Sequence, residues 1–368
     1  MADITEETII EALTAIRPPD SDKDIVSLGM ISGVVLRDGN IAVTIEITQE
    51  QGNAFEPTRR QAEETLAALP GVLSATVVLT AQRPAQGASP GAGPGQEQAP
   101  LIPNVKTIIA IASGKGGVGK STTAVNLALA FAAKGLKTGL LDSDIYGPSI
   151  PRMLGLEGRP EQISETRLAP KEKFGIKAMS MGLLVADDTP MIWRGPMVMS
   201  AIEQMLRDVE WGELDVMVID LPPGTGDAQL TLAQRVPLTG AVIVSTPQDV
   251  ALSDARKGLN MFRKVEVPVL GIIENMSYFA CPHCGERTDI FSHGGAKREA
   301  ARMGADFLGE IPLDIVIRET SDSGNPIVVS DPESPHAKSY RDIADKIWEK
   351  VNVLTGPEGR TGPRIVVQ

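Results

Sequence analysis

SGKGGVGKST, residues 113–122, decides how this 368-residue chain is read. Gly114, four residues, and then Gly119-Lys120-Ser121 match GxxxxGK[ST]. Each part has a physical task. The glycines let the backbone curl until successive N–H groups face a phosphate, and the helix that follows adds positive potential at its N-terminus. Lys120 brings charge to the β- and γ-phosphates, and the Ser121 hydroxyl can ligate Mg²⁺. A chain with 36 glycines can meet such a pattern by chance. Context argues against chance here: the apolar run VKTIIAIAS (105–113) precedes the loop and the apolar helix STTAVNLALAFAAKG (121–135) follows it. Gly114, Lys115, Gly116, Gly117, Val118, Gly119, Lys120, Ser121 and Thr122 are therefore the candidate ATP-binding residues.

Outward from that loop, strand and helix alternate. KTGLLDSD (137–144), VMVIDLP (216–222), GAVIVSTP (240–247) and VPVLGIIENM (267–276) are short, apolar and bounded by turn signals. They lack period-two alternation, as expected of parallel strands buried on both faces. DVALSDARKGLNMFRKV (249–265) and HAKSYRDIADKIWEKVNVL (336–354) read as helices. The order predicts an α/β domain over 101–355 with a doubly wound, mainly parallel sheet, followed by a Gly- and Pro-broken tail over 356–368. Residues 83–100, RPAQGASPGAGPGQEQAP, have nothing to pack and read as a flexible linker. Ahead of it, residues 1–82 predict a small α+β domain. TEETIIEALTAI is a helix with Ile9, Ile10, Leu13 and Ile16 on one face, and Thr5 and Thr8 offer cap chemistry. Two strands flank the turn Arg37-Asp38-Gly39-Asn40, RRQAEETLAALPG is a helix stopped by Pro70 and Gly71, and VLSATVVLTA is a last strand.

Lys plus Arg (35) against Asp plus Glu (47) leaves a net charge of −12, which argues against sequence-independent binding to nucleic acid or anionic membrane. The acidic N-terminus lacks the pattern of a signal peptide, and no apolar run is long enough to span a bilayer. Two cysteines in total exclude a secreted disulfide framework, so the expectation is a cytoplasmic protein with reduced thiols.

Those two cysteines lie in YFACPHCGERTD (278–289), as a CxxC. A closed thiolate site wants four ligands, and Cys281 and Cys284 supply two. If two copies pair about a two-fold axis with this stretch at the interface, the partner supplies the rest. Four thiolates suit a [4Fe–4S] cluster or Zn²⁺, and the ligand chemistry leaves both open. A thioredoxin-like redox pair is disfavoured, since that motif opens a helix after a strand in a much smaller fold. A pair of core thiols fits poorly with Pro282, His283, Gly285 and the polar ERTD that follows. His283 is a weaker ligand candidate, because adjacent side chains point apart.

Lys115, early in the loop, is the mark of the deviant P-loop ATPases, the group containing nitrogenase iron protein, MinD and ParA, and this sequence resembles them. The resemblance implies that Lys115 reaches across a dimer interface to the partner's nucleotide. It also implies that Asp142 and Asp144 of LLDSD lie where a magnesium-bound water and the attacking water sit, with Asp144 orienting or deprotonating that water. Asp220, ending VMVID, becomes the second-shell magnesium carboxylate, Pro222–Gly226 a γ-phosphate-sensing switch, and Asn275 a partner for the adenine edge. Lys115, Lys120 and Asp144 are thus the expected catalytic residues, and hydrolysis requires a homodimer.

GKGGVGKST, DSDIYGPS, WRGPM, DLPPGTGD and CPHCG after NMS together resemble the Mrp/ApbC-type iron–sulfur cluster carrier ATPases across nearly the whole back domain. That likeness implies a labile [4Fe–4S] cluster held by Cys281 and Cys284 between two subunits, received from an upstream scaffold and passed to apo iron–sulfur proteins. It also hints at an interface role for Trp193-Arg194-Gly195-Pro196-Met197, where a Pro at a helix start is the plainer reading. The front domain resembles the small metal–sulfur cluster assembly domain found ahead of this ATPase; having no cysteine, it cannot ligate through thiolate. Three rivals remain. A MinD/ParA-like switch lacks its basic amphipathic tail and leaves CPHCG unexplained. A structural zinc at the interface leaves the ATPase intact. A nitrogenase-like electron donor usually has its ligands far apart in sequence.

Overall fold

The structure, a computed structural model, describes residues 6–18, 21, 23–37, 40–48, 55–70, 72, 74–82, 102–164, 166–184, 195–281 and 283–356. The expected linker, Trp193, Arg194 and all but the first residue of the expected tail lie outside them. The chain divides into two compact units, Met1–Glu97 and Gln98–Gln368.

In the first unit α1 (Glu6–Leu13), β1 (Ile31–Arg37), β2 (Asn40–Thr48), α2 (Glu56–Ala67) and β3 (Ser74–Gln82) form two helices and a three-stranded sheet of order β1-β2-β3. β1 runs antiparallel to β2, and β3 runs parallel to it after the α2 crossover. Ile41, Val43, Ile45 and Ile47 alternate along β2, so one face of the sheet is apolar, and it packs with Ile9, Leu13 and Leu66 of the helices. The first helix ends earlier than its apolar spacing predicts. Ile16 leaves the helix because its carbonyl accepts from Ile25 N at 3.0 Å, which turns the chain back while its side chain stays in the core. α2 starts a turn earlier than expected, with Pro57 in its first turn, where a missing N–H does no harm.

The second unit runs β4 (Ile108–Ala112), α3 (Lys120–Ala133), β5 (Thr138–Asp142), α4 (Ile150–Leu154), β6 (Gln162–Ser164), β7 (Arg167–Leu168), β8 (Lys171–Lys173), β9 (Ile176–Ser180), α5 (Gly195–Arg207), β10 (Val216–Asp220), α6 (Asp227–Arg235), β11 (Gly240–Ser245), α7 (Asp249–Lys264), β12 (Val269–Asn275), β13 (Phe279–Ala280), β14 (Arg287–Thr288), α8 (Gly295–Met303), β15 (Phe307–Ile311), α9 (Ile315–Asp322), α10 (Ile327–Ser330) and α11 (Pro335–Thr355). Eight strands make one sheet of order β15-β12-β11-β4-β10-β5-β9-β8, parallel throughout except for β8 at the edge. The doubly wound, mainly parallel α/β sheet expected from sequence is therefore present, with β8, β9 and β15 added to the five strands the apolar runs predicted.

Helices cover both faces. Ile109 and Ile111 of β4 point into a core with Leu127 and Phe131 of α3 and Tyr340 and Ile347 of α11. Ile108 and Ala110 point the other way, toward Ile202 and Met205 of α5 and Leu232 of α6. Fully burying one such Leu or Phe contributes about 1.5–3 kcal/mol. A strand that must satisfy two cores has no polar face, which is why these runs read as continuously apolar. β4 lies at the centre, with β10 on one side and β11 on the other, so a crevice forms beyond its carboxyl end.

Candidate functional site

The loop from β4 to α3 fills that crevice. Ser113 closes β4 with its Oγ donating to Lys115 O at 2.9 Å, while its own carbonyl accepts from Gly224 N at 3.0 Å. The phosphate-binding loop and the Pro222–Gly226 segment are thus joined at their bases. A β-carbon on Gly114 would stand 2.2 Å from the Asp254 carbonyl carbon of α7, so this glycine is required by a helix backbone pressed against it. Gly119 has φ +80°, and a β-carbon there would stand 2.1 Å from Asn275 Nδ2. Gly116 and Gly117 are exposed, and Lys115 is half-buried beside them.

Lys120 opens α3 and reaches Asp220 Oδ1 at 2.6 Å, with Ser121 Oγ 3.2 Å from the same ammonium. Both members of the pair are buried, Lys120 to 6% exposure and Asp220 to 0%. The second carboxylate oxygen of Asp220 has no hydrogen-bond partner among the described residues. Burial raises the Asp220 pKa even though the Lys120 ammonium pulls the other way. An orphaned buried oxygen beside the Ser121 hydroxyl fits a hydrated divalent cation, which would complete its coordination.

Asp142 and Asp220 are register partners on adjacent strands, β5 and β10. Asp142 accepts from Asp144 N (3.1 Å), Ile150 N (3.3 Å) and Ser180 Oγ (3.0 Å), so its carboxylate draws the loop from 143 to 150 around itself. Burial, with the Asp220 charge adding to it, pushes its pKa up to about 7. Asp144 is less buried, and burial again raises its pKa against the pull of Lys120. The two carboxylates predicted for this loop therefore differ: Asp142 braces, and Asp144 is the more accessible. Thr122 lies on the first turn of α3 with its carbonyl accepting from Asn126 Nδ2 at 2.9 Å. Val118 is buried, and its carbonyl accepts from Asn275 Nδ2 at 2.8 Å. Asn275, expected at an adenine edge, is thus committed by one N–H to bracing the loop.

Beyond Asn275 the chain turns through Met276, which has φ +55°, and Ser277, and then enters the ribbon β13–β14. That ribbon carries the CxxC. Cys281 N donates to Glu286 O (2.9 Å), and Gly285 N donates back to Cys281 O (2.8 Å) at a φ of +73° that glycine alone adopts without strain. The N–H groups of His283 and Cys284, His283 foremost, lower the Cys281 thiol pKa. Cys281 is half-buried, while His283 and Cys284 are exposed. The hairpin presents sulfur outward with backbone donors aimed at one thiolate, an arrangement suited to thiolate ligation of a metal.

Sequence reasoning missed the residues that hold this ribbon. Arg287 of β14 stacks on Tyr278, its Cζ 3.9 Å from the ring centroid. Its guanidinium lies 2.6 Å from His293 Nδ1 and 3.6 Å from Glu310 on β15. Glu274, fully buried, accepts from Ser277 Oγ (2.6 Å), Gly294 N (3.0 Å) and Ala296 N (2.6 Å), so its charge caps α8. Glu274, His293 and Glu310 bring ligand-type atoms within 4.8 Å of one another, but the guanidinium supplies positive charge to that group. The available signal was a glutamate inside the apolar run GIIEN. Ser180, which holds Asp142, and Gln229, whose Nε2 donates to Pro222 O, belong to no motif.

No helix among the described residues is long and apolar enough to cross a membrane. A family model described as the NUBPL iron-transfer P-loop NTPase matches residues 104–348, and one described as an iron–sulfur cluster assembly protein matches residues 6–77. An iron–sulfur cluster carrier protein of Synechocystis is 45% identical over 355 residues, 95% of this chain and 99% of the relative. The iron–sulfur cluster transfer protein NUBPL of Dictyostelium discoideum is 56% identical over 270 residues, 72% of this chain and 84% of the relative. A nucleotide-binding protein from Archaeoglobus fulgidus, solved in complex with ADP, is 42% identical with a TM-score of 0.56, covering 64% of this chain and 91% of that one. The cell division ATPase MinD of Pyrococcus furiosus, at 23% identity and a TM-score of 0.51 over 67% of this chain and 99% of its own, shares the fold.

Proposed function

Since the chain belongs to the NUBPL iron-transfer P-loop NTPase family, we propose that it is an ATP-hydrolysing iron–sulfur cluster carrier. It holds a labile [4Fe–4S] cluster between two subunits and passes it to apo-proteins. One observation carries this reading: the ribbon bearing the chain's two cysteines grows directly out of the strand whose last residue, Asn275, braces the phosphate-binding loop. The domain order is that read from sequence: an assembly-type domain over 1–82, a linker over 83–100, the ATPase over 101–355 and a tail.

In the nucleotide site, backbone N–H groups from Gly114 to Thr122 surround the phosphates, and Lys120 leaves Asp220 to meet the β- and γ-oxygens. Ser121 and Asp220 would hold Mg²⁺, which when bound would supply charge neutralisation for the transferred phosphoryl group. Asp144 orients the attacking water, and burial, which raises its pKa above the ordinary carboxylate range, makes it a better proton acceptor. Asp142 fixes the loop that carries Asp144. Lys115 of each copy reaches the nucleotide of the other, so hydrolysis belongs to the dimer. Asn275 keeps its place beside the adenine as well as beneath the loop.

The cluster is cargo. Cys281 and Cys284 of two copies supply four thiolates, and a cluster shared across a subunit boundary is released when that boundary shifts. Free thiols require a reducing compartment, and we assign the cytoplasm. An upstream scaffold loads the carrier, apo iron–sulfur proteins unload it, and neither nucleic acid nor membrane takes part.

The test is anaerobic reconstitution with iron and sulfide, followed by visible absorption and metal analysis. A brown species with about four irons per dimer, lost in Cys281→Ala, supports the reading. A colourless protein holding one zinc per dimer makes the CxxC a structural staple and overturns the carrier role. Transfer to an apo-acceptor that runs equally fast in Lys120→Ala uncouples cargo from nucleotide.

A further inference from the structure

The stretch from Asn275 to Cys281 touches both chemical sites. At its start, Asn275 Nδ2 donates to Val118 O inside the phosphate-binding loop. A β-carbon built on Gly119 would lie 3.8 Å from Met276 Cε, so the end of the methionine side chain faces the same glycine that Asn275 approaches. Met276 itself holds φ +55°, a left-handed conformation that disfavours a residue with a β-carbon. Next, Ser277 is fully buried and fixed by three contacts: its N donates to Ile311 O at 3.0 Å, its Oγ donates to Glu274 Oε1 at 2.6 Å, and His293 Nδ1 lies 3.2 Å from the same Oγ. His293 in turn meets Arg287 of β14. Both strands of the cysteine ribbon therefore lead back to one turn, 275–277, β13 through the chain and β14 through His293.

We propose that Met276 is a positioning residue that makes the geometry of the cysteine ribbon depend on whether the phosphate-binding loop is occupied. The inference rests on the nucleotide site described above and adds the path by which it acts on Cys281 and Cys284. Phosphates entering the loop draw the N–H groups on either side of Val118 and Gly119 toward themselves. A shift of Gly119 moves the methionine side chain and Asn275 amide that face it, and the left-handed turn at Met276 passes that displacement on. Ser277, anchored to β15 and to the cap of α8, is the fulcrum about which the displacement swings the chain that follows. The displacement emerges at β13. A strained non-glycine hinge has two arrangements of comparable energy more readily than a relaxed one, which is what a nucleotide-biased element requires.

The chain's two cysteines make this measurable without labels or engineering. In reduced, metal-free, full-length protein, the rate of thiol modification by 5,5′-dithiobis(2-nitrobenzoate) is followed with no nucleotide, with Mg-ADP and with Mg-ATP. Nucleotide binding is titrated separately. Occupancy is expected to change the thiol rate about fivefold or more. Met276→Gly removes the thioether and frees the turn; it should bring the ratio of rates close to one while nucleotide affinity stays as in the wild type. Met276→Leu, which keeps an apolar side chain against Gly119, should retain the ratio. Ser277→Ala, which loosens the anchor without touching the loop, should reduce it. A Met276→Gly variant with the wild-type ratio overturns the inference, as does a wild-type protein that binds nucleotide with no change in thiol rate. Absence of nucleotide binding in the wild type would instead bring down the ATPase reading and the inference with it. A thiol response in a protein that holds no cluster would leave the inference standing and remove only the cargo.

Discussion

Gly114→Ala separates two explanations of the first glycine in the phosphate-binding loop. If Gly114 serves only the phosphates, an alanine there weakens nucleotide binding and leaves the empty protein as stable as before. The structure predicts otherwise. The new β-carbon would lie 2.2 Å from Asp254 C, 2.3 Å from Asp254 O and 2.6 Å from Ala255 N, all backbone atoms of α7. Ordinary contact begins at 3.4 Å, so 3.4 − 2.2 requires α7 or the loop to retreat by roughly 1 Å, a distance core packing resists. Retreat is opposed because Leu252, Ala255 and Leu259 of α7 are buried against β11, β12 and α8. Overpacking of this kind costs about 1–3 kcal/mol, which lowers Tm by about 2–12 °C for a domain of this size. The control is Gly116→Ala, where nothing lies within 4 Å of the new carbon and stability should hold within about 0.5 kcal/mol. Tryptophan fluorescence is the right probe, because Trp193, Trp211 and Trp348 all belong to the second unit and the first has none. Thermal melts of the nucleotide-free variants then decide it. Equal Tm values for Gly114→Ala and Gly116→Ala would refute the packing argument.

Asp142 carries a pH signature. Its pKa of about 7 in the folded chain lies above its ordinary value of 3.8, so the folded state holds a proton that the unfolded state has released. The resulting penalty is absent below 3.8, grows through that window and is complete above 7. Wild-type stability should therefore fall as pH rises from 4 to 7, and Asp142→Asn should flatten the slope in urea titrations; an unchanged slope would count against the assignment. Lys120→Met strands the buried Asp220 carboxylate, and at pH 8 the loss should be about 3 kcal/mol. It should shrink as the pH is lowered and Asp220, its pKa raised by burial, takes up a proton, and Asp220→Asn on the same background should recover most of it; no recovery would mean the pair is not what Lys120 stabilises. Lys115→Ala should bind ATP as the wild type does but hydrolyse it about 10³-fold more slowly. Wild-type turnover per chain should also rise with protein concentration, and a rate independent of concentration would remove the shared site.

Amino-acid order alone names the candidate residues whose chemistry is local. GKGGVGKST, DSD, DLPPGTG and CPHC are sets of residues a few positions apart, and the apolar runs ahead of them name the strands they terminate. β8, β9 and β15 escaped for a stated reason. β8 is KEK, an edge strand whose charges keep it from pairing further, and edge strands do not have to look apolar. β9 and β15 are five residues each, with Lys177 in one and Glu310 in the other interrupting the apolar pattern. What tertiary structure decided is how the local sets are joined. Asn275 braces a loop 157 residues before it, Lys120 pairs with an aspartate 100 residues after it, and Ser180 holds Asp142 across 38. Nothing near Asn275 in the chain names Val118 as its acceptor. A motif encodes the residues that act on one atom group, because covalent spacing alone brings them together. The partner that orients each of them is chosen by which strands lie side by side, and that is settled only when both faces of the sheet are packed.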